Sequence, residues 1–133
     1  MTIKSVVTES GKYTYENFHF SQATVCNGMV YCSGVVGSNA KGRMPETLEE
    51  EFENAWRSIG EILEASGSSY SNIVEYTSYH IGMQSHIAAF MAIRDKFVSA
   101  PRPAWTAIGT TELAMPGAHV EIRVVARVAD CSS

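Results

Sequence analysis

The chain has 133 residues, of which 45% are hydrophobic and 18% charged, with a formal net charge of −4. That length fits a single domain over residues 1–133, and the apolar fraction excludes a disordered chain and makes disulfide or metal staples unnecessary. The ten Lys and Arg are scattered without a basic run, which disfavours nucleic acid as a partner.

Cys26, Cys32 and Cys131 form no CxxC pair, and an odd count at irregular spacing argues against a disulfide framework. The start, MTIKSVVTESGKYTY, has no apolar signal core, and no segment approaches the roughly 20 apolar residues of a membrane span. A reducing, cytoplasmic setting with no membrane contact is the expectation.

In chain order, residues 3–8 read as a short strand and the polar residues 9–19 as a loop. Asn27-Gly28 separates two β-rich runs, residues 20–26 and 29–36, and predicts an antiparallel hairpin, because a type I′ turn needs positive φ at both positions. Residues 37–44 read as a loop, and Pro45 stands where a helix can begin. Glu46, Glu49, Glu50 and Glu51 suit the positive end of a helix dipole and read as a solvated helix start. Apolar residues at 48, 52, 55, 56, 59, 62 and 63 carry the helical spacing to about Ala65, with Gly67 as the stop. Phe52 and Trp56 on this stripe are core residues.

Residues 73–82 read as a strand, residues 84–98 as a second helix, and residues 104–110 and 119–128 as two further strands. Two helices are too few to cover both faces of a six-stranded sheet, so both are expected on one face. In the last strand Val120, Ile122, Val124, Ala126 and Val128 alternate onto one face and are expected to meet the helices. His119, Glu121, Arg123, Val125 and Arg127 share the other face, which is left for solvent or an oligomer surface.

Five segments, in order and at matching spacing, resemble the reactive-intermediate deaminase (Rid, or YjgF) family. They are Phe20-Ser21-Gln22-Ala23, Asn27-Gly28 through Ser33-Gly34, Ile62 to Gly67, Pro103-Ala104-Trp105-Thr106, and Val120-Glu121-Ile122-Arg123. The resemblance covers about residues 15–128. It implies a chorismate-mutase-like α+β fold: a six-stranded mixed sheet with two helices on one face, assembled as a trimeric barrel with clefts between subunits. It also implies cofactor-independent hydrolysis of 2-imino or 2-enamino acids to 2-keto acids and ammonia, with no metal.

By the same resemblance, Glu121 corresponds to the glutamate associated with the attacking water; the alternative is an exposed strand glutamate paired with a neighbouring cation. Ser33 and Gly34 correspond to cleft positions, although Gly34 reads equally as a bulge or a close-packing glycine. Thr106 is a further substrate-binding position. Three departures stand out. Trp105 occupies the place of the family's substrate-holding arginine, Phe20 that of a common tyrosine, and Phe90 that of a frequent asparagine. They suggest an aromatic box for a cationic iminium lacking the usual small carboxylate, or a tryptophan that plugs the cleft or packs at a subunit interface. Arg102, an odd offset from Trp105, is expected to point to the opposite face.

Cys32 reads as a buried thiol. His19, His80, His86 and His119 show no metal-ligand spacing, and His119, two residues from Glu121, is a proton-transfer candidate on the same face. The leading expectation is imine or enamine deamination of a small-molecule substrate in a homotrimer. The alternatives are a non-catalytic ligand-binding or regulatory trimer, and a tautomerase or other hydrolase using the same cleft. Ribonuclease activity is disfavoured by the acidic charge.

Overall fold

The alternating strand near the C-terminus organises the molecule. In the computed structural model, which describes residues 2–129, it runs Val120–Arg127. Numbered in chain order, the strands are β1 (Lys4–Val6), β2 (Ala23–Cys26), β3 (Met29–Cys32), β4 (Val35–Val36), β5 (Ile73–His80), β6 (Ala104–Gly109) and β7 (Val120–Arg127). The α-helices are α1 (Lys12–Phe18), α2 (Leu48–Ala65) and α3 (Met83–Arg94). The sheet order is β1-β2-β3-β7-β5-β6, with β4 also pairing β7. Only β5 and β6 pair in parallel.

The mixed α+β architecture and the one-sided helix packing agree with the sequence expectation. Val120, Ile122, Val124 and Ala126 are all fully buried, in one core with Phe52, Trp56, Ile59 and Leu63 of α2 and Phe90 and Ile93 of α3. Each large side chain removed from water there contributes about 1.5–3 kcal/mol. The hairpin forms as expected, with φ of 55° at Asn27 and 78° at Gly28.

Three expectations are corrected. Residues 9–19 are not a loop: a 3₁₀ turn over Glu9–Gly11 leads into α1. No residue of α1 is buried, so no apolar stripe marked the helix in the sequence. The described residues therefore contain three α-helices rather than two.

The sheet has seven strands, because the run 29–36 breaks at Ser33-Gly34. Tyr31 opposes Val125, yet Val35 opposes Ile122, so residues 32–34 on one strand face only 123–124 on β7. This one-residue surplus is a β-bulge.

The acidic start of α2 is not wholly solvated. Thr47 caps the helix by accepting from the Glu50 N–H, and Glu49 and Glu50 are exposed, but Glu51 is 1% exposed. Its carboxylate accepts from the backbone N–H of His119 (2.6 Å) and Val120 (3.2 Å) and bonds His119 Nδ1 (2.9 Å). It fastens the first turn of α2 to the start of β7. Cys131 lies outside the described residues. Among these residues, no helix is long and apolar enough to cross a membrane.

Candidate functional site

The bulge at Ser33-Gly34 and the register of β5 against β7 build a cleft on the sheet face away from α2 and α3. Tyr79 opposes Glu121 and Thr77 opposes Arg123, which puts Glu121 and Arg123 on the face opposite the buried Val120, Ile122 and Val124. The cleft has a volume of about 340 Å³ and is lined by Gly34, Tyr79, Thr110, Glu112, Leu113, Ala114, Glu121 and Arg123.

Gly34 makes room for Glu121. A Cβ at position 34 would fall well inside van der Waals contact of the Glu121 carboxylate. Ser33 is held beside it, its N–H donating to Gln22 O (2.9 Å) and its hydroxyl to Ser21 O (2.7 Å). Among the described residues, the side chains of Glu121 and Arg123 have no hydrogen-bond or ion-pair partner. The carboxylate is half-buried, against a glycine, and free to orient a small polar molecule.

The backbone at Gly34 is outside the left-handed region, so alanine fits the chain there. Gly34→Ala is therefore expected to leave unfolding free energy within about 1 kcal/mol of native while pushing the Glu121 carboxylate aside. Any turnover that needs that carboxylate should fall by roughly 10–100-fold. Kinetics and thermal melting on the same preparation check both halves.

Of the substrate-site residues expected from sequence, the structure brings Glu121 and Gly34 together, with Ser33 adjoining. Thr106 opposes Thr77 and is exposed on the same sheet face, one strand further out on β6. Phe20 is 46% exposed, next to the Ser21-Gln22 segment that holds Ser33, but it does not line the cleft.

Trp105 and Phe90 lie elsewhere. Trp105 opposes Tyr76, which in turn opposes the buried Val124, so its side chain is on the helix-covered face. It stacks on Tyr76 (centroids 5.8 Å apart, planes at 13°) and on Phe90 (5.9 Å, 30°), with the Arg94 guanidinium 5.0 Å above it. Phe90 is completely buried in the core. Within one chain, the expected box of Phe20, Phe90 and Trp105 around Glu121 does not form.

Arg102 corrects a second expectation. It lines a separate groove of about 200 Å³ with Tyr76, Arg94, Val98, Pro103 and Trp105. Strand alternation fails to place it because β6 begins only at Ala104. It pairs loosely with Asp95 (3.6 Å), which also pairs with Arg94 (2.9 Å). His119, offered as a proton-transfer partner of Glu121, is instead bonded to Glu51. Cys32 is buried, and burial pushes its thiol up to about 11 against the opposing charge of Arg123, so it has the character of a core thiol.

A polar chain crosses the core behind Trp105. The indole N–H donates to Ser78 Oγ (2.9 Å). Ser78 Oγ lies 2.7 Å from His80 Nε2, and His80 Nδ1 lies 3.0 Å from His86 Nε2. An indole can only donate, so the arrangement that satisfies every member sends the Ser78 proton to His80 Nε2 and the His80 Nδ1 proton to His86. This chain needs a neutral His80. Burial, reinforced by His86, holds its pKa down to about 4.

The unfolded chain takes up that proton near pH 6.5 and the folded chain only near 4, so between those values the unfolded state binds more protons. Stability from this group is intact above the unfolded pKa and falls with acidification, by at most about 1.4 kcal/mol per pH unit. Chemical denaturation between pH 7 and 4.5 should show a steeper loss for the native protein than for His80→Gln. Equal slopes would contradict this account.

Tyr79, Thr110, Glu112 and Arg123 are site residues that sequence reasoning did not place in the cleft. Arg123 carried a readable signal, being two residues beyond Glu121 on an alternating strand. Tyr79 needed the β5–β7 register, which only the fold supplies.

The comparisons with known proteins bear on the fold and the family. Residues 14–128 match the model of the family described as Endoribonuclease L-PSP. The chain is 29% identical to RutC family protein YjgH of Escherichia coli (strain K12) over 130 residues, covering 96% of this chain and 98% of the relative. It is 32% identical over 111 residues to the 2-iminobutanoate/2-iminopropanoate deaminase of Capra hircus, covering 80% of this chain and 78% of that one. The solved structure of protein YJGH superposes with a TM-score of 0.87 at 27% identity, covering 98% of this chain and 99% of that chain. The match to the family model over nearly the whole chain, together with the shared fold, makes this chain a member of the Endoribonuclease L-PSP family, the Rid/YjgF family.

Proposed function

We propose that the chain is a cofactor-independent hydrolase of a small imine or enamine, working in the Glu121 cleft. The observation that carries this reading is the position of the Glu121 carboxylate. It sits on the sheet face away from α2 and α3, against the bare backbone of Gly34 and with no hydrogen-bond or ion-pair partner for its carboxylate among the described residues. The deaminase name of the Capra hircus relative supports the reaction class.

The chemistry needs little more than an oriented water and a proton carrier. Water attacks the iminium carbon while Glu121 takes one of its protons, and the C=N electron pair moves onto nitrogen. The carbinolamine nitrogen then receives that proton from Glu121. As the C–N bond breaks, ammonia leaves with the bonding pair, the hydroxyl proton passes to Glu121, and the carbonyl forms. Transfer of this last proton to ammonia closes the balance: iminium plus water gives carbonyl plus ammonium. The Tyr79 and Thr110 hydroxyls line the same cleft and supply further hydrogen-bonding groups.

The exposed Arg123 and Arg127 on the sheet face away from α2 and α3 also fit a homotrimer in which that face is shared between copies and the cleft is completed by a neighbour. A nucleic-acid substrate fits less well, because Glu112 and Glu121 outnumber Arg123 in the cleft and repel phosphate. Trp105 loses its force as an argument against carboxylate-bearing substrates. Its indole lies on the helix-covered face, so an arginine there would not enter this chain's own cleft.

Ammonia release from a panel of aliphatic and aromatic imines tests the proposal. Folded protein that accelerates none of them over spontaneous hydrolysis would sink it.

A further inference from the structure

A phenol stands beside the carboxylate in the Glu121 cleft. Tyr79 on β5 is directly opposite Glu121 in the antiparallel pairing with β7, and both side chains line the cleft. Directly opposed residues on antiparallel strands have Cβ atoms about 4.5–5.5 Å apart on one face. The tyrosine side chain is the longer of the two, so its hydroxyl and the carboxylate meet a bound molecule at different atoms. Tyr79 is half-buried, yet among the described residues its hydroxyl has no hydrogen-bond partner.

The other groups around the cleft that carry protons are committed or unsuited. The Thr110 hydroxyl donates to Glu112 O (3.4 Å), the Ser33 hydroxyl donates to Ser21 O, and His119 is bonded to Glu51. A guanidinium does not give up its proton in a protein, so Arg123 offers charge without proton transfer. Glu112 is exposed and, as a second carboxylate, duplicates Glu121. Tyr79 supplies what is left over, an O–H group that both donates and accepts.

We propose that Tyr79 is a catalytic residue of this cleft, carrying a proton from oxygen to nitrogen of the carbinolamine. The inference deepens the hydrolase reading above and rests on it. Once water has added, a hydroxyl and an amine sit on one carbon, and a single phenol oxygen can bridge them in a six-membered ring. The phenol proton goes to nitrogen, and the C–N bond breaks with its pair leaving on ammonia. An oxygen lone pair closes the carbonyl, and the hydroxyl proton returns to the phenol oxygen. Glu121 keeps the proton it took from water and hands it to the departing ammonia. Iminium plus water again gives carbonyl plus ammonium, and both side chains end as they began. This route spares Glu121 from returning one proton and taking another at the same carbon.

The experiment compares native protein with Tyr79→Phe, which keeps the ring, each verified as folded by thermal melting. On an ammonia-releasing imine, kcat should fall roughly 10²-fold in Tyr79→Phe with KM little changed. The N-methyl and N-trifluoroethyl imines of the same ketone form the second arm. Trifluoroethylamine is weakly basic and departs with less help from an acid, so its loss should be several-fold smaller than that of the N-methyl imine. A ring that only supports the cleft would lower both alike. A kcat that survives in Tyr79→Phe, or equal losses for the two N-substituted imines, would overturn the role of Tyr79 and leave the hydrolase reading standing. Folded native protein that accelerates no imine at all would defeat that reading and the role of Tyr79 together.

Discussion

Glu121→Gln should lower kcat for imine hydrolysis on the order of 10²–10³-fold while leaving the fold unchanged. Glutamine keeps the volume that rests against Gly34 and keeps a hydrogen-bonding oxygen, but it cannot accept the water proton or return it to nitrogen. The carboxylate makes no hydrogen bond to the rest of the chain among the described residues. Its neutralisation therefore removes no structural contact, and stability should stay within about 1 kcal/mol of native. Because the lost interaction belongs to the transition state, kcat and kcat/KM should fall together and KM should change little. Steady-state kinetics beside a denaturation curve measure both. A variant that keeps its kcat would show that another group handles the proton.

Trp105→Arg should destabilise the chain by about 2–4 kcal/mol without creating activity on 2-imino acids. The indole stacks on Tyr76 and on Phe90 and donates to the buried Ser78 hydroxyl. An arginine there gives up both ring contacts, leaves the Ser78–His80–His86 chain without its donor, and brings a second guanidinium against Arg94. Denaturant unfolding gives the first quantity and ammonia release the second. A gain of 2-imino-acid activity in this variant would mean that Trp105 meets a cleft contributed by another subunit.

How much of this was legible before the fold was known follows from the range of each signal. Val120 to Val128 alternates every second residue, so the buried face of β7 was readable from a period alone. The Asn27-Gly28 turn was readable because positive φ selects those residues. Glu121 was placed on the open face by the same alternation.

The failures share a cause. Trp105 was assigned a role by its position in a motif, but its facing depends on the parallel register with β5, which no local pattern encodes. Arg102 was assigned by alternation two residues before the strand begins. Phe90 has ordinary helical spacing, and its complete burial comes from α3 packing over Trp56 and Trp105. Glu51 looked like its exposed neighbours Glu49 and Glu50 because its partners, His119 and Val120, lie at the far end of the chain. Gly34 sat between two readings, a bulge and a site residue, and the structure supports the bulge while also placing the glycine beside Glu121.

The most direct measurement of the central claim, that hydrolysis occurs where Glu121 meets Gly34, is ammonia release from one imine by native protein, Gly34→Ala and Glu121→Gln side by side. The account predicts native fastest, Gly34→Ala reduced, and Glu121→Gln close to spontaneous hydrolysis, with all three equally folded. Equal acceleration by all three would place the chemistry elsewhere.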